Sequence, residues 1–202
     1  MKALTFTMLL SCLLAGACGD SKNESKPVPD NHFESVVVGD DICVFDRSTE
    51  LMWETKSANT GLHQVTNTYS WFDPDEANGE LDYRGLEDGG QCEGSKCDTW
   101  HYVQAVNKKG LCGYSDWRMP GKNEIFSISD IRRAKTPPTI DVAFFPLTQA
   151  AEYWTGNDYS FQYDTAWAWN FALGHDRVDW KKEAKFVRLV RGTARDLAKV
   201  KE

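Results

Sequence analysis

The sequence predicts an α+β domain with two short helices and antiparallel strands, and three stretches predict it. In Trp167-Ala168-Trp169-Asn170-Phe171-Ala172-Leu173 the large apolar residues recur at every second position, the period of a strand with one face turned inward. Thr99 to Lys109 lies between Asp98, a capping residue, and Gly110, a helix stop, with Tyr102, Val103 and Val106 on one face. After it comes Gly110-Leu111-Cys112-Gly113-Tyr114-Ser115-Asp116-Trp117-Arg118-Met119-Pro120, glycines and a proline around an aromatic residue, which reads as a tight corner. There Asp116 and Arg118 are expected to hold backbone groups by charge-assisted hydrogen bonds while Trp117 plugs the core.

Taken in order, residues 1–17 read as a leader. Lys2 gives a positive start, Ala3 to Leu14 an apolar run too short to span a bilayer, and Ala15-Gly16-Ala17 small residues ahead of Cys18. That is the pattern of a signal peptide ending in a lipobox, so the mature chain is expected to begin at a lipidated Cys18; a plain secretory signal is the alternative. Acyl chains contribute about 0.8 kcal/mol per buried methylene, enough together for a lasting membrane anchor. Gly19, not aspartate, follows the cysteine, which by resemblance to sorted bacterial lipoproteins points to the outer membrane. Residues 18–31 are polar and read as a disordered tether with a reach on the order of 20 Å. The domain is expected over 32–192 and a charged tail over 193–202.

Within the domain, Val36-Val37-Val38 and Ile42-Cys43-Val44-Phe45 are β-rich, then Asp46-Arg47-Ser48-Thr49 turns the chain into a strand at Leu51-Met52-Trp53. Residues 55–98 lack periodicity apart from Tyr69-Ser70-Trp71-Phe72, so they are either functional loops or a segment pinned by cross-links. A second helix is expected after Pro120-Gly121, with Ile125, Ile128 and Ile131 on one stripe, fading before Pro137-Pro138. Gly174-His175-Asp176 turns into a strand at Arg177-Val178-Asp179-Trp180, and Phe186 to Arg191 makes the last strand.

Charge and cysteines narrow the function classes. Removal of Lys2 with the leader leaves 22 basic against 30 acidic side chains, a formal charge of −8. That field disfavours nucleic acid or sulfated polysaccharide as the main partner. Cys43, Cys92, Cys97 and Cys112 remain in the mature domain, an even number that argues for two disulfides in an oxidising compartment. Of the three possible pairings, Cys92–Cys97 with Cys43–Cys112 is favoured; a four-cysteine zinc site is the rival, although only Cys92 and Cys97 come near zinc-ligand spacing.

Several runs together carry a resemblance: Thr49-Glu50-Leu51-Met52-Trp53-Glu54, the 110–120 corner with Glu124 after it, Ile140-Asp141, Phe145-Pro146, Tyr153-Trp154-Thr155, Trp167 with Phe171 and Gly174, and Val187-Arg188-Leu189-Val190-Arg191-Gly192. In order, they resemble the Lcl C-terminal domain, named for the end of a bacterial collagen-like surface adhesin. The resemblance implies a C-type-lectin-like α+β fold in a secreted or surface-anchored protein, a last strand paired with the first, and no established reaction.

Catalytic sets are thin. His32, His63, His101 and His175 fall in separate segments without metal-ligand spacing, and no phosphate loop, dinucleotide fingerprint or Gly-x-Ser-x-Gly occurs, so no enzyme is expected. Calcium-dependent sugar binding is the sharper rival, but the Glu-Pro-Asn, Gln-Pro-Asp and Trp-Asn-Asp signatures of such lectins are missing, and Asp73-Pro74-Asp75-Glu76 and Asn157-Asp158 are the nearest oxygen clusters. What remains is contact by aromatic and polar loop residues: Tyr69, Trp71 and Phe72, then Asp158, Tyr159, Phe161, Tyr163 and Asp164. Rings of this kind stack on a glycan or anchor an envelope protein, which makes a non-catalytic binding module the expected function; the alternatives are that several of the rings belong to the core and that the domain is a purely structural envelope component.

Overall fold

The computed structural model describes residues 32–78 and 81–194; the expected leader, Cys18, the tether and most of the tail lie outside them. The opening β-rich runs form β1 (Phe33–Val38), β2 (Asp41–Asp46) and β3 (Leu51–Glu54), antiparallel in that order. The turn into β3 is held by the buried Asp46 carboxylate, which accepts from the Ser48 amide at 2.9 Å and the Thr49 hydroxyl at 2.7 Å. β4 (Ala77–Asn78) and β5 (Leu81–Asp82) make a small separate pair.

The irregular stretch from 55 to 98 is pinned rather than displayed. Isolated bridges join Thr68 to Gln91, Tyr69 to Lys185 and Ser70 to Asp98, and Cys92 is bonded to Cys97. Both favoured disulfides form, the second joining Cys43 on β2 to Cys112. The zinc alternative falls away because all four sulfurs are spent in these bonds.

α1 (Thr99–Lys109) begins and ends as its caps predict. The Asp98 carboxylate accepts from the His101 amide at 2.9 Å, and Gly110, at φ 76°, donates its N–H to the Val106 carbonyl at 3.0 Å. Nothing lies within 4 Å of the place a Cβ at Gly110 would occupy. Gly110→Ala should therefore cost about 1 kcal/mol from left-handed backbone strain alone, read by denaturant titration; a variant as stable as the parent would contradict that cause.

α2 (Lys122–Ser127) is shorter than its isoleucine stripe predicts. Ile125 and Ile128 are buried, but the helix ends at Ile128 and the chain re-enters as a 3-10 segment at Ile131–Lys135, which leaves Ile131 55% exposed.

β6 (Glu152–Asp158), β7 (Thr165–Asn170) and β8 (His175–Trp180) form a second antiparallel sheet in that order. The alternation in β7 has a further meaning: Trp169, with Phe171 beyond it, joins one core cluster with Trp53, Phe145 and Tyr153, while Ala166 and Ala168 join another with Tyr69, Trp71, Trp117 and Trp154. Both faces are covered, because the alanines leave room for large rings on their side.

β9 (Val190–Arg191) corrects the expected last strand twice. It is short, because the segment changes partners: Lys185 bridges Tyr69, Phe186 bridges Tyr153 of β6, and only the end from Leu189 to Arg191 reaches the first sheet. Its neighbour there is β3, not β1, giving the order β1-β2-β3-β9. The Glu54 amide bonded to the Leu189 carbonyl at 3.0 Å sets this register.

Candidate functional site

The corner after α1 is architecture. Trp117 is 2% exposed; its indole N–H donates to the Leu111 carbonyl at 3.0 Å, and its backbone is clamped by Asn107 on α1, whose side chain accepts from the Trp117 amide at 2.7 Å and donates to its carbonyl at 2.8 Å. Arg118 behaves as expected, donating to the Gly192 carbonyl at 2.8 Å, and also holds Glu124 through two bonds of 2.7 Å. Asp116 departs from expectation: its carboxylate pairs with the Arg191 side chain, at 2.7 and 3.1 Å, instead of the backbone.

The expected contact residues divide sharply. Tyr69 and Trp71, placed among the ligand-binding candidates, are 0% and 3% exposed and belong to the core. Their segment runs beneath β6, where the Trp154 indole donates to the Tyr69 carbonyl at 2.9 Å and the Trp71 indole donates to the Thr155 carbonyl at 2.9 Å. Neither ring can stack on a ligand.

Asp158, Tyr159 and Tyr163 do lie at the surface, at the end of the second sheet. The register of β6 against β7 shifts between Trp154 and Asp158, so Thr155-Gly156-Asn157 bulges out of the ladder. The bulge carries Asn157 to α2, where its side-chain oxygen accepts from the Lys122 amide at 2.8 Å. Asp158, still paired with Ala166, is left beside Trp167. The result is a cleft of about 390 Å³ lined by Lys122, Asn123, Glu124, Asn157, Asp158 and Trp167. Trp167 is half-buried: Tyr159 packs edge-on against it with ring centroids 5.5 Å apart, and the Lys122 ammonium sits 3.8 Å above the ring while also reaching Asp176 at 3.1 Å.

Beyond the cleft the chain exposes Phe161 (87%) and Tyr163 (39%), the latter packed against Tyr83. Around that loop, Trp180, Asp164, Leu86 and Lys182 border a second hollow of about 340 Å³. The Glu124 carboxylate is committed to Arg118 and to the Gly121 amide at 2.7 Å, and Asp73 closes its own turn through the Asp75 amide at 3.0 Å. Among the described residues no group of three or more His, Cys, Asp or Glu side chains is arranged to hold a metal ion.

A separate network lies inside the domain, at the end of β3. Glu54 is fully buried, and its Oε1 accepts from Lys56 Nζ at 2.8 Å, from His63 Nδ1 at 2.9 Å and from the Tyr102 hydroxyl, while Oε2 accepts from the Leu189 amide at 2.9 Å. Burial alone would push the carboxyl up, but Lys56 and His63 hold it well below the usual carboxylate range. Burial and the Glu54 charge push the Tyr102 phenol up, so it stays a neutral donor. Arg188, also fully buried, donates to the Glu54 carbonyl at 2.5 Å and to the Thr148 hydroxyl at 2.8 Å. The available signal was a glutamate ending the apolar Leu51-Met52-Trp53, with Lys56 two places on and so on the same side of an extended chain. Its partners His63 and Tyr102 carried none.

A family model, that of the Lcl C-terminal domain, matches residues 42–191. No curated protein and no solved structure matches the chain.

Proposed function

We propose that this chain, which belongs to the Lcl C-terminal domain family, is a lipid-anchored, non-catalytic adhesion module that grips a glycan across the Trp167 cleft. The observation that carries this reading is the bulge of β6, which sets amide and carboxylate groups of Asn157 and Asp158 beside a half-buried indole. Sugars offer an apolar C–H face to such a ring and a fringe of hydroxyls to such polar groups. Lys122, a flexible side chain, roofs the indole and swings aside when a sugar ring stacks on it. A C-type-lectin-like topology is the finer reading of the two antiparallel sheets and paired short helices, and it is in keeping with loops displayed at one end of a sheet. Anchoring rests on the lipobox ending at Cys18, with the outer membrane as the destination. Among the described residues no helix is long and apolar enough to cross a membrane.

A glycan array probed with the full mature chain, with and without calcium, tests the module. Trp167→Ala should weaken the best-retained glycan by about 30-fold or more, the effect of truncating an aromatic anchor, in a domain that circular dichroism shows still folded. Retention of that glycan by Trp167→Ala at parental strength, or an array on which the parent binds nothing, overturns the reading. Capture of an envelope protein in the second case moves the contact to Phe161, Tyr163 and Trp180. The anchor has its own test: producing cells fed labelled palmitate should label the parent and leave Cys18→Ala unlabelled.

A further inference from the structure

The Glu54 network has an open side. Lys56 and His63 line a cleft of about 450 Å³ whose walls include Asp41, Ser57, Asn59, Thr60 and Lys109. That volume falls within the roughly 300–1,000 Å³ of small-molecule sites. It shares no lining residue with the Trp167 cleft.

The chemistry of its floor follows from proton counting. The His63 side chain is 10% exposed, and its Nε2 is buried without a hydrogen-bond partner. Its Nδ1 lies 2.9 Å from a Glu54 oxygen, and an ionised carboxylate only accepts, so Nδ1 carries a proton, and in the tautomer this bond fixes the lone pair belongs to Nε2. Lys56 has three ammonium protons; one goes to Glu54 and one to the Tyr102 hydroxyl, each at 2.8 Å. The ring that carries this acceptor and the ammonium that carries this spare donor bond the same Glu54 oxygen. A hydroxyl is the group that gives and takes one hydrogen bond each. Native folds seldom leave such groups unpaired, so the arrangement reads as a site built for an occupant.

The charges say what kind of occupant. Asp40 and Asp41 on the lining balance Lys56 and Lys109, and behind them Glu54 balances Arg188. No net field selects an anion or a cation. We propose that this cleft is a second binding site, for a small neutral polyhydroxylated molecule that donates a hydroxyl proton to His63 Nε2 and accepts one from the Lys56 ammonium. It is independent of the Trp167 cleft and of what that cleft holds.

The test is long-range ¹⁵N NMR of the histidine ring in the full mature chain, with glycerol, a methyl hexoside and N-acetylglucosamine added in turn, and acetate and inorganic phosphate as charged rivals. At least one neutral probe should shift His63 Nε2 saturably while Nδ1 stays protonated. Thr60→Trp, at an exposed position that leaves the network untouched, should narrow the mouth and weaken that probe roughly tenfold or more. His63→Phe should abolish binding, and Trp167→Ala should leave the titration unchanged. Saturation by acetate or phosphate alone, or by none of the five probes, overturns the proposal without touching the Trp167 reading. Equal binding by Thr60→Trp also overturns it.

Discussion

Replacing Glu54 with glutamine should destabilise the domain by about 3–5 kcal/mol, the cost of removing one partner from a buried ion network. Glutamine keeps the shape but not the charge. Lys56, with a side chain only 5% exposed, would then face burial without its counter-ion, and the Leu189 amide would lose a charged acceptor. For a domain of this size the loss lowers the unfolding temperature by roughly 10 °C or more. Replacing Glu54 and Lys56 together by methionine should recover most of it, since a well-packed apolar pair removes both desolvation costs. A single Glu54→Gln variant within about 0.5 kcal/mol of the parent would rule out the network as a hub. The pH dependence has a definite sign. A carboxyl lowered on folding contributes stability that is fully present above its unfolded value of about 4.3, and that fades as pH falls through the lower folded one. The parent should weaken steadily below about pH 4. Glu54→Gln should show a shallower acid slope, the remainder coming from Glu87, Asp116, Asp130 and Asp179, each also lowered by a cationic partner.

Removing the Cys43–Cys112 bond should cost about 4 kcal/mol, and removing Cys92–Cys97 about half as much. The difference is topological: the first pair is 69 residues apart in the chain, the second 5, and closing a longer loop takes more freedom from the unfolded chain. The long bond also ties β2 to the turn behind α1, where Cys112 holds a left-handed backbone at φ 51° and its amide reaches Asp41 at 3.3 Å. Paired alanine variants, Cys43→Ala with Cys112→Ala and Cys92→Ala with Cys97→Ala, compared by denaturant titration, give the ranking. A larger loss from the short loop would show that strain, not chain entropy, governs both.

What could be read from the sequence was local. Asp98 and Gly110 bracket α1 because capping is a matter of a few adjacent residues, and the period of β7 is visible in one strand. Trp117 announced a buried corner through the glycines and proline around it. What could not be read depended on distant partners. A polar stretch holding Tyr69 and Trp71 looks the same whether the rings are offered to a ligand or inserted under β6; the choice is made by Thr155 and Trp154, more than 80 positions away. The β6 bulge left no mark in the pattern, so Asp158 and Tyr159 were legible as contact residues while Lys122 and Asn123 beside them were not. Glu54 was legible only as a charge in the wrong place, because His63 and Tyr102 sit in a loop and on a helix. Likewise, pairing of β9 with β3 is a non-local fact that no window of neighbours encodes.

The position of β9 also makes the first sheet depend on the far end of the domain. Leu189 and Val190 supply β3 with its outer neighbour and Glu54 with a backbone donor, and Arg118 clasps Gly192. Without them β3 would keep a bare margin, and the interior carboxylate would lose one of its four donors, the others being Lys56, His63 and Tyr102. The opening sheet and the closing segment are thereby interdependent: neither the strand order nor the buried charge is complete until the two meet.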